Sequence, residues 1–466
     1  MIQSFSRRCD LLKIAVQGGP ADARIIRELL SPWDVSFTCF DDAELVIIYK
    51  EKPPEKKKVI VIPSESEGFT KWIEDMKLAV VRKPGKPVSV AAGAQTVLNI
   101  TPQILYNHSK LVRSAPWSKL PTATEIEKNL VLLTLDIIGE YNKILSTTLN
   151  TQPSRIYRLL TSSPVPYGMA PRPLRNLLMK ANRGQQNLTY CDKLPVDALR
   201  LILVKAIKIL LGSEPTRKSW NGKKYACVLT HDVDSREALQ RTNRLRKLEE
   251  KYDVPSVWYI PSKRYKLNVE TIRELANYGE VGAHGTRHDG KLDRLSEQKL
   301  VDRMREAKQT LEKITDSPVR GFRTPLLQHN FKILQAVNKA GYAYDSSIPT
   351  WEPRHPASMQ PHGIGTIYPL DMDGIIEIPV SLPQDHQMIH VLGVNARDAV
   401  RKWSEIKEVI KELGGLCTLL VHPDYALAEL SNIFVYEELL NAIVSDSQAW
   451  VGVPAEIGWS ASPVGG

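Results

Sequence analysis

The sequence predicts an α/β fold whose C-terminal half is built on a parallel β-sheet. From residue 225 to residue 453, short apolar runs typical of strands alternate regularly with amphipathic stretches typical of helices. This alternation is typical of a parallel sheet that is either closed as a barrel or open and doubly wound. The hydrophobic content of 42% and the charged content of 24% are those of an ordinary globular protein.

The individual elements of this half follow from the same pattern. Strands are predicted over residues 225–231, 254–260, 279–284, 319–323, 341–345, 375–380, 416–422 and 450–453. Helices are predicted over residues 236–251, 268–278, 296–314, 330–340, 396–413 and 431–446. Catalytic groups in such folds gather where strands end, so the polar residues at those ends are the candidates.

Three segments are predicted along the chain. Residues 1–120 form a small α/β domain, and residues 121–215 form a helical segment that could be part of it. The stretch 212–224 is polar and contains Gly and Pro, which is typical of a domain boundary. Residues 216–466 are the predicted catalytic domain.

The N-terminal elements are predicted from apolar runs and capping signals. Helices are expected at residues 20–30 and 67–80, between short strands. Thr124 and Glu127 form a candidate capping box ahead of a helix over residues 126–145. A second helix is predicted over residues 195–211, and Gly212 ends it.

The charge distribution and the cysteine content indicate which partners and which kinds of site this protein can have. Residues 1–215 carry 30 Lys and Arg against 20 Asp and Glu, whereas residues 216–466 carry 32 of each. The basic half could meet an anionic surface or a phosphate-bearing carrier, and no specific nucleic-acid binding is predicted. The five scattered cysteines argue against a disulfide framework or a thiolate zinc site. No secretory signal or apolar run of about 20 residues is visible, so a cytoplasmic location is predicted.

Ionisable residues follow several of the predicted strands. Nine of the ten histidines lie between His231 and His422. The strand-end residues that stand out are His231, Asp232, Asp234, His284, His288, Arg323, Pro325, Asp345 and His422. Because these strands are parallel, their carboxyl ends meet at one edge of the sheet, so we expect these side chains to converge there.

His284 and His288 are spaced i and i+4, so a helical turn after the third strand would place them on one face. Two histidines and one carboxylate form a ligand set that leaves coordination positions open for water and substrate. In a metal-assisted hydrolysis, a second carboxylate would accept the water proton, and Asp232 or Asp234 could do so. His422 could act as the acid, and Arg323 would hold the base ionised and oriented.

Together these motifs resemble the polysaccharide deacetylase superfamily, the chitooligosaccharide deacetylase homology domain of carbohydrate esterase family 4 and its relatives. They are T-H-D-x-D at 230–234, H-x-x-x-H at 284–288, R-x-P at 323–325, Y-D-S-S at 344–347 and L-x-V-H-P at 419–423. The resemblance covers about residues 225–455. It implies a distorted (β/α) barrel of seven-stranded type, a divalent metal that is usually zinc, and hydrolytic removal of acyl groups from N-acetylated sugars.

The family roles carry over residue by residue. His284 and His288 match the metal-binding motif, Arg323 the segment that braces the base, and His422 the general acid. The first motif differs from the common family form because Val233 separates the two carboxylates. Relatives with this spaced form imply Asp232 as the base and Asp234 as the metal ligand, although the two roles could be exchanged.

Further residues are candidates for a supporting or substrate-binding role. They are His231, Asp289, Pro325, Asp345 and Trp351, with His355, His362, His386 and His390 on two polar connections. The predicted activity is that of a zinc-dependent N-deacylase acting on an amino-sugar or glycan precursor; Co, Ni, Mn or Fe would be compatible with the same ligands. The spaced carboxylates leave an amidase acting on a cyclic imide or ureide as an alternative. A catalytically silent glycan-binding protein is the third reading.

Overall fold

The computed structural model describes residues 11–49, 54, 57–63, 79–81, 88–92, 95–100, 123–127, 129–133, 135–150, 193–352 and 362–458. The chain divides into two compact units. One contains Met1–Ile144 and Pro195–Lys218, and the other contains Leu145–Leu194 and Ser219–Gly466. In the described part of the chain, no helix combines the length and the apolar character needed to cross a membrane.

The first unit is built on a mainly parallel sheet with the strand order β2-β1-β3-β4-β9-β8. The strands up to residue 133 are β1 Leu12–Gln17, β2 Val35–Phe37, β3 Leu45–Tyr49, β4 Lys58–Ile62, β5 Ala79–Val81, β6 Val88–Ala92, β7 Gln95–Ile100, β8 Ala123–Glu127 and β9 Leu130–Leu133. In the described residues up to 211, the helices are α1 Pro20–Leu30, α2 Ile137–Leu149 and α3 Pro195–Leu211. Strands β5, β6 and β7 form a separate antiparallel sheet.

The helix predicted over residues 126–145 is wrong in its first part. Thr124 and Glu127 lie in β8, which turns at Asn129 and pairs antiparallel with β9. The buried apolar residues of β9 pair in parallel with β4, and this tertiary contact decides between two structures that a short apolar run permits equally. The helix begins only at Ile137.

The helix predicted over residues 195–211 is present, whereas the one predicted over residues 67–80 is wrong at its end. Helix α3 covers the predicted residues and ends before Gly212, whose φ of 81° lies in the left-handed region. Of the helix predicted over 67–80, residues 67–78 lie outside the described part of the chain, and residues 79–81 form β5.

The second unit is an α/β structure on a curled sheet that is parallel except at one edge. Its main path has the order β15-β16-β14-β13-β12-β11-β10-β17, and β18 also pairs with β10. Its strands are β10 Tyr225–Asp232, β11 Ser256–Ile260, β12 Glu280–Ala283, β13 Gly321–Phe322, β14 Tyr344–Asp345, β15 Leu370–Asp371, β16 Ile376–Glu377, β17 Leu416–Leu420 and β18 Ala449–Val451. From residue 219 onward, the helices in the described residues are α4 Arg236–Lys251, α5 Val269–Tyr278, α6 Glu297–Thr315, α7 Phe331–Lys339, α8 Ala396–Leu413 and α9 Ile433–Val444.

These elements agree with the predicted strand and helix alternation of the C-terminal half. Helices α4 and α8 have the predicted bounds, and each starts after a side chain that caps it: Ser235 accepts from the amide of Ala238, and Asn395 from that of Asp398. The antiparallel strand β15 and the π-helical turn His386–Val391 were not predicted. Neither has a periodic pattern long enough to be recognised.

Strand β10 lies inside the sheet and all eight of its residues are buried. It pairs in parallel with β11, β17 and β18, so its carboxyl end is surrounded by the ends of its neighbours. Outside the regular ladder, the amide of Leu382 donates to the carbonyl of Thr418 at 3.1 Å, which joins the chain after β16 to β17. The seven-stranded barrel type stays a prediction.

Two carboxyl groups share a buried position in this sheet. Asp345 on β14 and Glu377 on β16 are register partners, and neither has exposed surface. Burial raises the pKa of Asp345 to about 6, although Glu377, Ser347 and Arg323 lower it. Burial, and then the neighbouring Asp345, raises the pKa of Glu377 well above its usual value. Glu377 therefore keeps a proton that it shares with Asp345 near neutral pH.

Because the pKa of both groups is higher in the folded chain, they stabilise the fold fully below their unfolded pKa values, near pH 4. This contribution is lost as the pH rises through about 6 and beyond. We expect Glu377→Gln, which keeps a hydrogen-bond donor but cannot ionise, to raise the free energy of unfolding by about 1–3 kcal/mol at pH 8 relative to its effect at pH 5. Chemical denaturation at both pH values measures this difference. Glu405→Gln on the surface of α8 is the control, and an equal effect of Glu377→Gln at both pH values would contradict the shared proton.

Candidate functional site

Three side chains meet beyond the carboxyl ends of β10 and β12. Asp234 follows β10, His284 follows β12 and His288 lies further along the same connection. The Nε2 atoms of His284 and His288 lie 3.1 and 3.3 Å from Oδ1 of Asp234. The helical turn that would place the two histidines on one face is absent: residues 284–290 are irregular, and Gly285, at a φ of 69°, turns the chain instead. The two imidazoles converge because this turn bends the chain back, with their ring centroids 5.4 Å apart.

The polar atoms in this cluster have the arrangement expected of metal ligands. Oδ1 of Asp234 and Nε2 of His284 are buried and make no hydrogen bond within the described part of the chain. Nδ1 of His284 donates to the carbonyl of Arg323 at 2.9 Å, which leaves the Nε2 lone pair directed at Asp234. Burial would raise the pKa of Asp234, but His288 and His284 together hold it well below its usual value.

These residues fit a divalent metal ion. One ligand atom from each of Asp234, His284 and His288 lies within 4.8 Å of the others. Two imidazoles and one carboxylate are donors that divalent transition metals accept, and three protein ligands leave positions open for water and substrate. Orphaned buried atoms that face one another would be costly unless a cation or water joined them.

Asp232 lies at the end of β10 beside a buried guanidinium. Its Oδ1 accepts from Nη1 of Arg323 at 3.0 Å, and its Oδ2 lies 3.8 Å from Nε2 of His284. Arg323 is itself fixed by Thr230 and by both the carbonyl and the hydroxyl of Ser346. Its guanidinium also lies 4.3 Å from the centre of the Tyr259 ring. Its position is therefore determined by the interior of the sheet.

His422 enters the same space from the end of β17. Its Nδ1 donates to Oδ1 of Asp385 at 2.6 Å, and its amide donates to Oδ2 of Asp385 at 2.9 Å. Its Nε2 lies 4.0 Å from Oδ2 of Asp234. Burial would lower the pKa of His422, but Asp385, and then Asp234 and Asp232, raise it to about 10. The imidazole therefore carries a proton that it can donate.

Sequence reasoning missed Asp385, although it is the fixed partner of His422. It precedes a π-helical turn in a stretch that was noted only for its histidines. The pairing joins residues 37 positions apart, and nothing in the local pattern indicates it.

His231 faces away from this cluster. Its Nδ1 donates to the carbonyl of Val421, and its Nε2 bonds to Oε1 of Glu249 at 2.9 Å. The ring stacks on Trp258 with 4.1 Å between centroids. Glu249 also accepts from Ser256 and Tyr436, and all of these polar atoms are buried. His231 thus belongs to a polar network beneath the site, between β10 and α4.

The other candidates lie in different surroundings. Asp289 pairs with Arg303 at 3.0 Å, and Asp345 is held by Ser347 and Glu377. Pro325 precedes Leu326 and Leu327, which both have left-handed φ values, 58° and 49°. Backbone strain of this kind at bulky residues is characteristic of functional segments.

The remaining candidates lie on the two polar connections. Trp351 is buried, with the Lys193 ammonium 4.9 Å from its ring centre. His362 meets the buried His329, and His355 lies outside the described residues.

Comparison with known proteins identifies part of this unit. Residues 221–344 match the family model for polysaccharide deacetylase, so this segment is a polysaccharide deacetylase domain, a class of hydrolases acting on carbon–nitrogen bonds. No curated protein matches the chain significantly.

Several solved structures are similar to this chain. One is a putative polysaccharide deacetylase from Mycobacterium smegmatis, 21% identical over 52% of this chain and 91% of that one, with a TM-score of 0.44. A probable polysaccharide deacetylase from Pseudomonas aeruginosa PAO1 is 17% identical over 53% and 95% of the two chains, with a TM-score of 0.42. An allantoinase is 16% identical over 55% and 97%, with a TM-score of 0.42.

The structural role of His231 can be tested through Glu249, the carboxylate that it shares with Ser256 and Tyr436. Glu249→Ala removes the acceptor that His231, Ser256 and Tyr436 share, and leaves three buried polar groups unpaired. We expect a loss of about 3–5 kcal/mol in the free energy of unfolding, measured by chemical denaturation. The exposed variant Glu438→Gln on α9 is the control. A loss below about 1 kcal/mol, or a loss of metal binding from a variant that stays folded, would show that His231 and Glu249 do not form a purely structural network.

Proposed function

We propose that this domain is a metal-dependent hydrolase that removes an acyl group, in particular acetyl, from the nitrogen of an N-acetylated sugar or glycan precursor. The observation that supports it most is the convergence of five ionisable side chains at one edge of the sheet. Asp234, His284 and His288 offer a ligand set, Asp232 lies 3.8 Å from His284, and His422 lies 4.0 Å from Asp234.

Asp234, His284 and His288 would hold the metal, and zinc is the ion we propose. Zinc commonly takes histidine nitrogen and carboxylate oxygen in sites of this kind, while Co, Ni, Mn and Fe accept similar donors. A bound divalent ion would acidify a water molecule and polarise the carbonyl of the substrate. The hydrogen bond from His284 to the Arg323 carbonyl fixes the tautomer that this role requires.

Asp232 is proposed as the general base. A base must be ionised before the reaction and must hold its carboxylate where the proton will be released. The bond from Arg323 to Oδ1 of Asp232 serves the second need, because the buried guanidinium fixes the rotamer of the carboxylate. Oδ2 remains beside His284, on the side of the proposed ligands.

His422 is proposed as the general acid. Cleavage of an amide requires a proton on the departing nitrogen, because an unprotonated amide anion is a very poor leaving group. Asp385 orients the imidazole through Nδ1, so that Nε2 is the nitrogen facing the reacting groups. Asp232 and His422 thus take opposite roles, one accepting and one supplying a proton.

The substrate assignment has one competing proposal, which rests on Val233. This residue separates the two carboxylates, and the spaced motif differs from the common family form. An amidase acting on a cyclic imide or ureide would use the same base, acid and ligands. Acetate release from N-acetyl sugars supports the deacylase, whereas ring opening of an imide without such release supports the amidase.

The barrel type, the domain arrangement and the partner and location of the protein are proposed together with this function. Residues 216–466 would form the seven-stranded (β/α) barrel, supported by the bond between Leu382 and Thr418 that links the chain after β16 to β17. Residues 1–120 would form the N-terminal α/β domain, and residues 121–215 a helical segment that could be part of it. The positive charge of residues 1–215 supports a role in meeting an anionic surface or carrier, and a cytoplasmic location stays a prediction.

The ligand assignment predicts a difference between the two carboxylates. Asp234→Asn should lose most of the bound metal, as should the double variant His284→Ala/His288→Ala, because each lacks a donor. Asp232→Asn should keep the metal, because Asp232 lies beside Arg323 and supplies no ligand. Metal analysis of each purified variant after dialysis against zinc gives the result. Equal metal in wild type and the double histidine variant would exclude the proposed centre.

The base and acid assignments predict different kinetics. Asp232→Asn should lower kcat for release of acetate by about 10²–10⁴-fold on amide and ester substrates alike, because both need an activated water. His422→Ala should cause a similar loss on an N-acetyl sugar but far less on an activated acetate ester, whose leaving group needs no proton. Equal losses on amide and ester for His422→Ala would contradict its role as the acid.

A further inference from the structure

Two of the three proposed metal ligands lie on irregular backbone without a partner for their orientation so far. Asp234 lies between β10 and α4, and His288 lies in the irregular stretch 284–290. Both residues are therefore outside the strand ladders, although a metal site needs its ligand atoms held within about 0.5 Å of the productive geometry. His284 differs, because the carbonyl of Arg323 accepts from its ring and fixes it.

The side chains of Arg264 and Tyr265 reach the backbone of both ligand segments. Nη1 of Arg264 donates to the carbonyl of His288 at 2.8 Å. The hydroxyl of Tyr265 donates to the carbonyl of Val233 at 2.6 Å, and Val233 immediately precedes Asp234. We call Arg264 and Tyr265 the clamp. These two consecutive residues hold one ligand segment each.

The main chain fixes the position of the clamp. Both of its residues belong to the irregular connection between β11 and α5. The amide of Ser262 donates to the carbonyl of Gly285 at 3.0 Å, and the amide of Lys263 donates to the carbonyl of Thr286 at 2.9 Å. The connection therefore runs along the stretch that carries the two histidines, and the clamp side chains extend from a fixed backbone.

The hydrogen bonds of the clamp act on the direction in which the ligand side chains leave the backbone. The carbonyl oxygen of Val233 lies in one rigid peptide plane with the amide nitrogen and Cα of Asp234. The bond from Tyr265 fixes the rotation of this plane and thereby orients the Cα of Asp234. Arg264 likewise restricts the peptide that follows the Cα of His288.

We propose that Arg264 and Tyr265 are positioning residues that hold Asp234 and His288 in ligand geometry for the metal. The inference rests on the ligand assignment of the proposed function and adds what determines the affinity of that site. The clamp would maintain the 3.3 Å spacing between Nε2 of His288 and Oδ1 of Asp234. A ligand set that is already ordered loses less conformational freedom when it binds an ion, so it binds more tightly.

Zinc affinity of the full chain tests the role of Tyr265. The dissociation constant is measured by competition with a chromophoric chelator, and the denaturation midpoint is measured on the metal-free chain. Tyr265→Phe deletes only the hydroxyl and should weaken zinc binding about 10–100-fold, the usual effect of losing a partner that orients a ligand.

Tyr278→Phe is the matched control for this substitution. The Tyr278 hydroxyl also donates to a backbone carbonyl, that of Glu249 at 2.8 Å, and Tyr278 is half-buried like Tyr265. Each variant loses one hydrogen bond of the same kind, so their denaturation midpoints should shift by similar amounts. Zinc affinity should fall only in Tyr265→Phe.

Arg264→Met separates positioning from simple electrostatics. This variant removes a positive charge near a proposed cation site, and charge alone would then make zinc binding tighter. The clamp predicts the opposite sign, a loss of about tenfold, because the carbonyl of His288 loses its donor. Arg264→Lys, which keeps a donor and the charge, should recover part of the loss. Lys263→Gln removes the neighbouring cation, which pairs with Glu306 on α6, and should not weaken zinc binding.

Cobalt(II) reports the ligand geometry through its visible absorption, because the position and intensity of its d–d bands depend on coordination number and symmetry. Tyr265→Phe and Arg264→Met, each saturated with cobalt, should show altered bands, whereas Tyr278→Phe should match wild type. A substitution that only lowered stability would move the denaturation midpoint and leave these bands unchanged.

The results distinguish failure of the clamp from failure of the metal centre. Wild-type zinc affinity in both clamp variants, tighter binding by Arg264→Met, or an equal loss in Tyr278→Phe would overturn the clamp. If wild type binds no zinc, or Asp234→Asn binds it as tightly as wild type, the metal centre and the clamp are both refuted. If Asp234→Asn loses zinc while the clamp variants keep wild-type affinity, the clamp alone is refuted.

Discussion

The arrangement of the site depends on Arg323, which acts through both its side chain and its backbone. The guanidinium fixes Asp232, and the carbonyl of the same residue accepts from Nδ1 of His284. One buried residue on the strand-end segment after β13 therefore orients the proposed base and one proposed ligand together. A buried cation is tolerated only when its charge and its donors are satisfied, and Thr230 and Ser346 complete that requirement. Displacing Arg323 would therefore disturb the proposed base Asp232 and the proposed metal ligand His284 at once.

Asp385 and His422 form a carboxylate–imidazole pair that is proposed to supply a proton, whereas Asp232 is proposed to accept one. Asp385 holds His422 protonated, while the guanidinium of Arg323 holds the carboxylate of Asp232 in place, so the proposed acid and the proposed base each have a fixed partner. Asp234 lies between them and has a third environment, set by two imidazoles. The partners come from different segments of the second unit: Arg323 follows β13, His284 and His288 follow β12, and Asp385 precedes the π-helical turn His386–Val391.

Much of the fold could be predicted because its signals are local. The apolar run at 225–229 in β10 and the capping residues Ser235 and Asn395 act over a few neighbouring residues, so β10, α4 and α8 were located correctly. The site candidates were predicted from one rule, that parallel strands end at the same edge. The structure brings five of them together: Asp232, Asp234, His284, His288 and His422.

The features that were not predicted from the sequence depend on contacts between residues far apart in the chain. The run at 130–133 forms β9 because β4 is available to pair with it, and the sequence pattern alone equally permits a helix. Asp385 and Glu249 gain their roles from partners that the chain brings near only after folding. His284 and His288 converge through a glycine turn, so the predicted proximity was right and the helical reason for it was wrong.

Asp234, His284 and His288 are the proposed ligands of a divalent metal, and Asp232 is not one of them. Crystals grown with zinc and measured on both sides of the zinc absorption edge test it directly, because the anomalous difference locates the ion independently of the protein atoms. We expect one strong peak bonded to Oδ1 of Asp234 and to Nε2 of both histidines, with Asp232 still paired to Arg323. A peak coordinated by Asp232 in place of Asp234, or no peak at this cluster in zinc-loaded protein, would contradict it.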